Sequence, residues 1–184
     1  MNKIRCFIGI PIPVNSLLTE FYNKLHDCST GMKLVSSDSL HLTVKFLGDV
    51  SEQLLPQIIN TLDACVSHYQ PFEICVQGTG AFPHQKYMKV LWIGIQPTEL
   101  VSSLADDIDT QLHLQGFEKE KRPFSAHLTV ARVKYLSNKL KVLALLESYQ
   151  HTLFSKVLVT HVNLYTSTLT PQGPIYSCLH SSEL

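Results

Sequence analysis

"SLHLTVKFLGD" (residues 39–49) and "SAHLTVARVK" (residues 125–134) carry the same four residues, His-Leu-Thr-Val, at 41–44 and 127–130. In the first stretch His41, Thr43 and Lys45 alternate with Leu42, Val44 and Phe46, the period of a strand with one buried face. His127 and Thr129 share a face of the second in the same way. A repeated tetrapeptide arises easily by chance in a Leu- and Val-rich chain. Its meaning rests on what surrounds each copy and on what the shared residues can do.

The surroundings match. "RCFIGIPI" (5–12) reads as a buried strand closed by prolines. It is followed by a helix with Leu17, Leu18, Phe21, Tyr22 and Leu25 at helical spacing and Asn15 or Ser16 as cap. The first HLTV strand spans 40–48 and ends at Gly48. A helix over 51–69 follows, its start delayed or distorted by Pro56. In the second half, "FEICVQG" and "YMKVLWIGI" read as strands separated by a turn-rich "TGAFPHQK". A helix over 98–115, capped by Thr98, turns Leu100, Leu104, Ile108 and Leu112 inward and stops at Gly116. The second HLTV strand covers 125–133, and a helix over 137–150 starts at a Ser cap. "SKVLVTHVNLYTSTL" and "PIYSCLH" read as two strands joined by "TPQGP" in a hairpin. Each half therefore runs strand, helix, HLTV strand, helix. The expected fold is α+β, one bilobal domain over 1–184 with two similar, tightly joined lobes.

Composition narrows the function. With 45% hydrophobic and 16% charged residues, the 184-residue chain has ample material for a core. Fifteen basic residues balance fifteen acidic ones, which weighs against bulk duplex binding but leaves room for a local phosphate pocket. Five cysteines occur with no CxxC and no zinc-like spacing, and no apolar run approaches the ~20 residues of a membrane span. The expectations are a reduced, cytoplasmic, monomeric protein without metal or cofactor.

Two His-x-Thr pairs facing each other across a cleft suit displacement at phosphorus. A neutral imidazole takes a proton from water while a protonated one supplies a proton to the departing alkoxide, and both forms are accessible near neutral pH. Threonine hydroxyls can donate to the non-bridging oxygens as charge builds there. His41, Thr43, His127 and Thr129 are thus the candidate catalytic and substrate-binding residues. Lys119, Lys121, Arg122, Arg132 and Lys134 crowd the second motif, and Arg132 is the candidate phosphate contact. Strict alternation turns Arg132 away from the face of His127, so that contact requires a bulge or loop.

The paired H-x-T-x motifs resemble those of the two-histidine (2H) phosphoesterases, in particular the RNA 2′,3′-cyclic phosphodiesterase branch first named 2′-5′ RNA ligases. "IRCFIGIPIP", "LHLTVKFLG", "GTGAFPHQKYMKVLWIGI", "PFSAHLTVARV" and "LYTSTLTPQGPIYSCL" resemble successive segments of that branch. Ala126 stands where the branch commonly has proline. The resemblance implies antiparallel sheets lining a central cleft, with helices packed outside. It implies hydrolysis of RNA 2′,3′-cyclic phosphate ends to 2′-phosphomonoesters, with reversible 2′-5′ ligation in some relatives. It also makes His41 the proton donor and His127 the acceptor, an assignment the residues alone leave open. The substrates implied are RNA ends or small nucleotides. Alternatives are another cyclic phosphate or 2′-5′ linked nucleotide as substrate, or a non-catalytic RNA-end or nucleotide-binding module.

Overall fold

The apolar residues of β1 (Lys3–Pro11) alternate so that Cys6, Ile8 and Ile10 enter the core while Arg5, Phe7 and Gly9 occupy the other face. This strand is the hub of a four-stranded antiparallel sheet. The computed structural model describes residues 2–170 and 173–184. After β1 come α1 (Ser16–His26), β2 (Met32–Leu34), β3 (His41–Ser51), α2 (Leu55–Val66), β4 (Phe72–His84) and β5 (Tyr87–Gln96). Then follow α3 (Glu99–Leu114), β6 (His127–Val133), α4 (Lys139–Tyr149), β7 (Leu153–Val159), β8 (His161–Leu169) and β9 (Pro174–Glu183). Strand order is β3-β1-β8-β9 in the first sheet and β2-β6-β5-β4-β7 in the second. The two HLTV strands lie in different sheets and contact each other. Among the described residues no helix is long and apolar enough to cross a membrane.

The lobes are not the two halves of the chain. α1 packs on α4 and the second sheet: Phe21 meets Tyr149 and Phe154 with ring centroids 5.1 and 5.5 Å apart, and the Asn15 amide donates to the Phe154 carbonyl at 2.6 Å. α3, from the second half, packs against α2 and β3 of the first lobe. The Asn15 cap is in place, its side chain accepting from the Leu18 N–H. α2 begins at Leu55 after a 3-10 turn, with Pro56 in its first turn, where a missing N–H costs nothing.

Several elements differ from the sequence reading. "TGAFPHQK" is largely strand: Gly78, at φ 72°, is bulged out of the β4–β5 ladder, and pairing continues to His84↔Tyr87. β3 likewise runs past Gly48 (φ 70°) to Ser51, because Leu47 is an unmatched residue opposite Cys6 and Phe7. The long run 155–169 is broken at Thr160, where the chain passes from the second sheet to the first. The β8–β9 hairpin forms as expected, although Pro171 and Gln172 of its turn lie outside the described residues. β2 was not foreseen; three residues are too few for a period. Leu100 is half-exposed, and Val101 takes its place inside α3. α4 starts at Lys139 without a side-chain cap.

One further irregularity decides the face of every residue after the motif threonines. In β3, Gly9 pairs with Thr43 and Ile8 with Lys45, leaving Val44 unmatched. In β6, Trp92 pairs with Thr129 and Leu91 with Ala131, leaving Val130 unmatched. Such a bulge inverts the alternation. Val44 and Lys45 are consecutively buried, as are Val130 and Ala131. Phe46 and Arg132 then return to the face of the histidines.

Lys45 therefore does not share the face of His41 and Thr43, contrary to expectation. Its side chain, 2% exposed, ion-pairs with Asp109 of α3 and donates to the Glu118 carbonyl at 2.9 Å. Asp109 in turn accepts from the Glu120 N–H at 3.2 Å. Burial pushes the Asp109 carboxyl up, but the Lys45 and Glu120 hydrogen bonds bring it below its ordinary range. Its contribution to stability is thus present above the unfolded carboxylate value, ~3.9, and is lost as pH falls through the lower folded value. Asp109→Ala should cost ~3–5 kcal/mol in urea unfolding, because it strands a buried ammonium. The double variant Lys45→Met/Asp109→Leu should recover about half of that loss or more.

Candidate functional site

Each motif histidine is held by the backbone just before it. His41 Nδ1 donates to the Ser39 carbonyl at 2.8 Å, and His127 Nδ1 donates to the Ser125 carbonyl at 2.6 Å. A carbonyl can only accept, so the neutral tautomer carries its proton on Nδ1 and presents Nε2 to the cleft. The two imidazoles are thus prepared identically, by a carbonyl two residues upstream in "SLH" and in "SAH". Thr43 and Thr129 project from the same strand faces. Among the described residues neither hydroxyl has a protein hydrogen-bond partner, which leaves both available to a ligand.

The walls differ. His41 lies against Phe7 (centroids 4.6 Å apart), meets the edge of Tyr176 at 5.1 Å with planes 88° apart, and has Tyr165 at 6.1 Å. Phe7 stacks on Tyr165 at 5.0 Å, and the Tyr165 hydroxyl accepts from the Asn163 amide at 2.8 Å. The space for the His41 ring depends on Gly9. A Cβ there would stand 3.0 Å from the Leu42 carbonyl oxygen and 3.3 Å from His41 Cδ2. His127 instead meets Phe82, edge to face, at 4.9 Å. The Phe82 ring rests on Trp92, whose indole covers Gly80 where no Cβ would fit.

Burial disfavours the imidazolium at both sites and outweighs the opposing bonds to Ser39 and Ser125, so both histidines titrate below their ordinary value. At His127 the charge of Arg132 pushes in the same direction. The bulge at Val130 is therefore the device that the contact required: it turns Arg132 to the His127 face. Of the other cations expected near the second motif, Lys121 pairs with Glu118 at 2.9 Å on the exposed loop between α3 and β6. Lys119, Arg122 and Lys134 are solvent-exposed. Phe46, the positional counterpart of Arg132 on β3, is 60% exposed.

Among the described residues no group of three or more His, Cys, Asp or Glu side chains could hold a metal ion. A concavity of about 760 Å³ between α2 and α3, lined by Gln57, Asn60, Gln111 and Gln115, contains none of the motif residues and no Lys or Arg.

This arrangement has close parallels. The family model described as the 2′-5′ RNA ligase superfamily matches residues 15–170. The chain belongs to that superfamily. It is 40% identical over 178 residues to an RNA 2′,3′-cyclic phosphodiesterase of Methanocaldococcus jannaschii, covering 96% of this chain and 98% of the relative. A protein of the same name from Methanothermobacter thermautotrophicus is 34% identical over 95% of this chain and 96% of its own length. Among solved structures, TT0787 of Thermus thermophilus superimposes with a TM-score of 0.84 and 26% identity, covering 98% of both chains. The α+β fold with two antiparallel sheets is thus that of the 2′-5′ RNA ligase superfamily.

Sequence reasoning placed His41 with Thr43 and His127 with Thr129 on common strand faces, as the structure has them, and missed three things. The serine shared by "SLH" and "SAH" was visible but carries its role through a backbone carbonyl. The rings of Phe7, Phe82, Tyr165 and Tyr176 arrive from four strands with no common motif. The bulges have no residue signature in a run of apolar residues. In an NMR titration of the free protein, both motif imidazoles should have midpoints below the ordinary ~6.5. Arg132→Gln should raise the His127 midpoint, by removing a repelling charge, and leave that of His41 in place.

Proposed function

We propose that this chain hydrolyses the 2′,3′-cyclic phosphate at RNA ends to a 2′-phosphomonoester. The observation that carries the reading is the matched pair of imidazoles, each with Nδ1 tied to a carbonyl and Nε2 free, beside two unengaged threonine hydroxyls. Its support from relatives is the RNA 2′,3′-cyclic phosphodiesterase name of homologues that align over most of the chain.

In this mechanism His127 Nε2 accepts a proton from water as the water oxygen bonds to phosphorus. The P–O3′ bond breaks opposite the attack, and His41 Nε2 supplies the proton to the departing O3′. The phosphate remains on O2′. Thr43 and Thr129 donate to the non-bridging oxygens, where charge accumulates in the transition state. The walls support this division of labour. Burial lowers both imidazoles; at His127 the charge of Arg132 adds to it and favours the proton acceptor, whereas His41 has no such cation among the described residues. Arg132 also supplies a charge for the phosphate, and Phe46 offers an exposed ring to a base. The same step with an RNA 5′-hydroxyl in place of water joins the two ends by a 2′-5′ linkage. No step calls for a cation beyond these side chains.

An oligonucleotide ending in a 2′,3′-cyclic phosphate tests the reading, with the position of the product phosphate mapped. A 2′-phosphate is expected; an unchanged substrate, or a 3′-phosphate product, would overturn it. His41→Ala and His127→Ala should each lower kcat ~10²–10⁴-fold, with the double variant losing far less than the product of the two. Thr43→Val and Thr129→Val should each lower it ~10–10³-fold while keeping both limbs of a bell-shaped kcat/KM profile.

A further inference from the structure

Arg5 stands on the cleft face of β1. Alternation along that strand is unbroken, so Arg5 shares its face with Phe7 and Gly9, the residues against which His41 is seated. It is exposed, and although Asp49 is its cross-strand neighbour, no ion pair joins them among the described residues. In the same sheet stands Tyr176 of β9, whose ring meets Phe7 at 4.9 Å and His41 at 5.1 Å. Burial pushes the Tyr176 hydroxyl up, and the charges of Arg132 and Arg5 both act against that push. The charges of two arginines, one from each sheet, thus both reach the Tyr176 hydroxyl. Arg132 also acts on His127, whereas no effect of Arg5 on either histidine is resolved. Arg132 thus acts on the second motif histidine, while Arg5 stands on the strand face of Phe7, against which His41 is seated.

An exposed cation on the face of Phe7, whose charge reaches the hydroxyl of Tyr176, suits a second anion of the same ligand. In an RNA chain that anion is fixed by covalent geometry: the phosphodiester on the 5′ side of the terminal nucleoside. We propose that Arg5, with the Tyr176 hydroxyl, forms a subsite for that phosphodiester, so that the cleft selects the end of an RNA chain over a cyclic mononucleotide. The inference rests on the cyclic-phosphate reading above and adds to it a residue that positions the RNA chain. Phosphate contacts position a nucleic acid without reading its sequence, so the preference is for chain ends of any base.

Two dinucleotides test it, each ending in a 2′,3′-cyclic phosphate and differing only in the internucleotide link. One link is the natural phosphodiester; the other is an uncharged methylphosphonate, which keeps the second base and removes the charge. The wild-type chain should favour the charged substrate in kcat/KM by about tenfold, the ratio expected of ~1.4 kcal/mol from one charge-assisted contact. Arg5→Gln should bring that ratio close to one, and Arg5→Lys should restore part of it. Raised salt should lower the wild-type ratio. Turnover of both substrates by the wild type with a ratio of one would overturn the subsite and leave the cyclic-phosphate reading standing. A ratio that survives Arg5→Gln would do the same. If the wild type turned over neither substrate, the reading itself would fall and the subsite with it.

Discussion

Val44 and Val130 each add a residue that the neighbouring strand does not match, and this mismatch governs which side chains share the cleft. Without it, Phe46 and Arg132 would point into the layer of helices, where an arginine would be costly to desolvate. Lys45 would face the cleft instead of α3. A bulge also strengthens local twist, and each stands directly after a motif threonine. Placement of the motif side chains and departure from regular pairing are therefore one structural event, written twice.

The two bulges are equivalent, but the residues on their C-terminal sides are not. After Val44 come a lysine and a phenylalanine; after Val130 come an alanine and an arginine. The two His-Leu-Thr-Val strands are identical, so any difference between their imidazoles has to come from their neighbours. Arg132 beside His127 opposes its protonation. Phe7, Tyr165 and Tyr176 enclose His41 in rings. On the buried side, the Lys45–Asp109 pair ties the first motif strand to α3 and to the loop leading towards the second motif, a link with no counterpart at Ala131.

The strands, the helices and the four motif side chains were legible because each rests on a local period. Leu42 and Leu128 must be buried if the histidines are not, and period two does the rest. What escaped depends on partners distant in sequence. Val44-Lys45 reads as ordinary alternation until Ile8 and Gly9 are set beside it. Gly78 and Gly48 read as strand ends, because the positive φ open to glycine serves turns and bulges alike. Thr160 gives no break signal, since β-branched and apolar residues continue on both sides of it, and only the division into two sheets separates β7 from β8. The histidine clamps escaped for another reason: a backbone carbonyl belongs to every residue, so no side chain announces it.

α1 lies under the second sheet and α3 under the first, so each repeated unit is roofed by a helix from the other. An isolated half of the chain would lose strands from its sheet and leave a helix without its dock. Two such halves could satisfy each other only by trading helices, as in a domain-swapped dimer. In the intact chain the trade is made within one molecule, and the polypeptide passes from lobe to lobe repeatedly. The gap between the histidines is thus spanned by several covalent crossings rather than one hinge. A single hinge would let the two sheets swing apart; these crossings hold the imidazoles in register as parts of one frame.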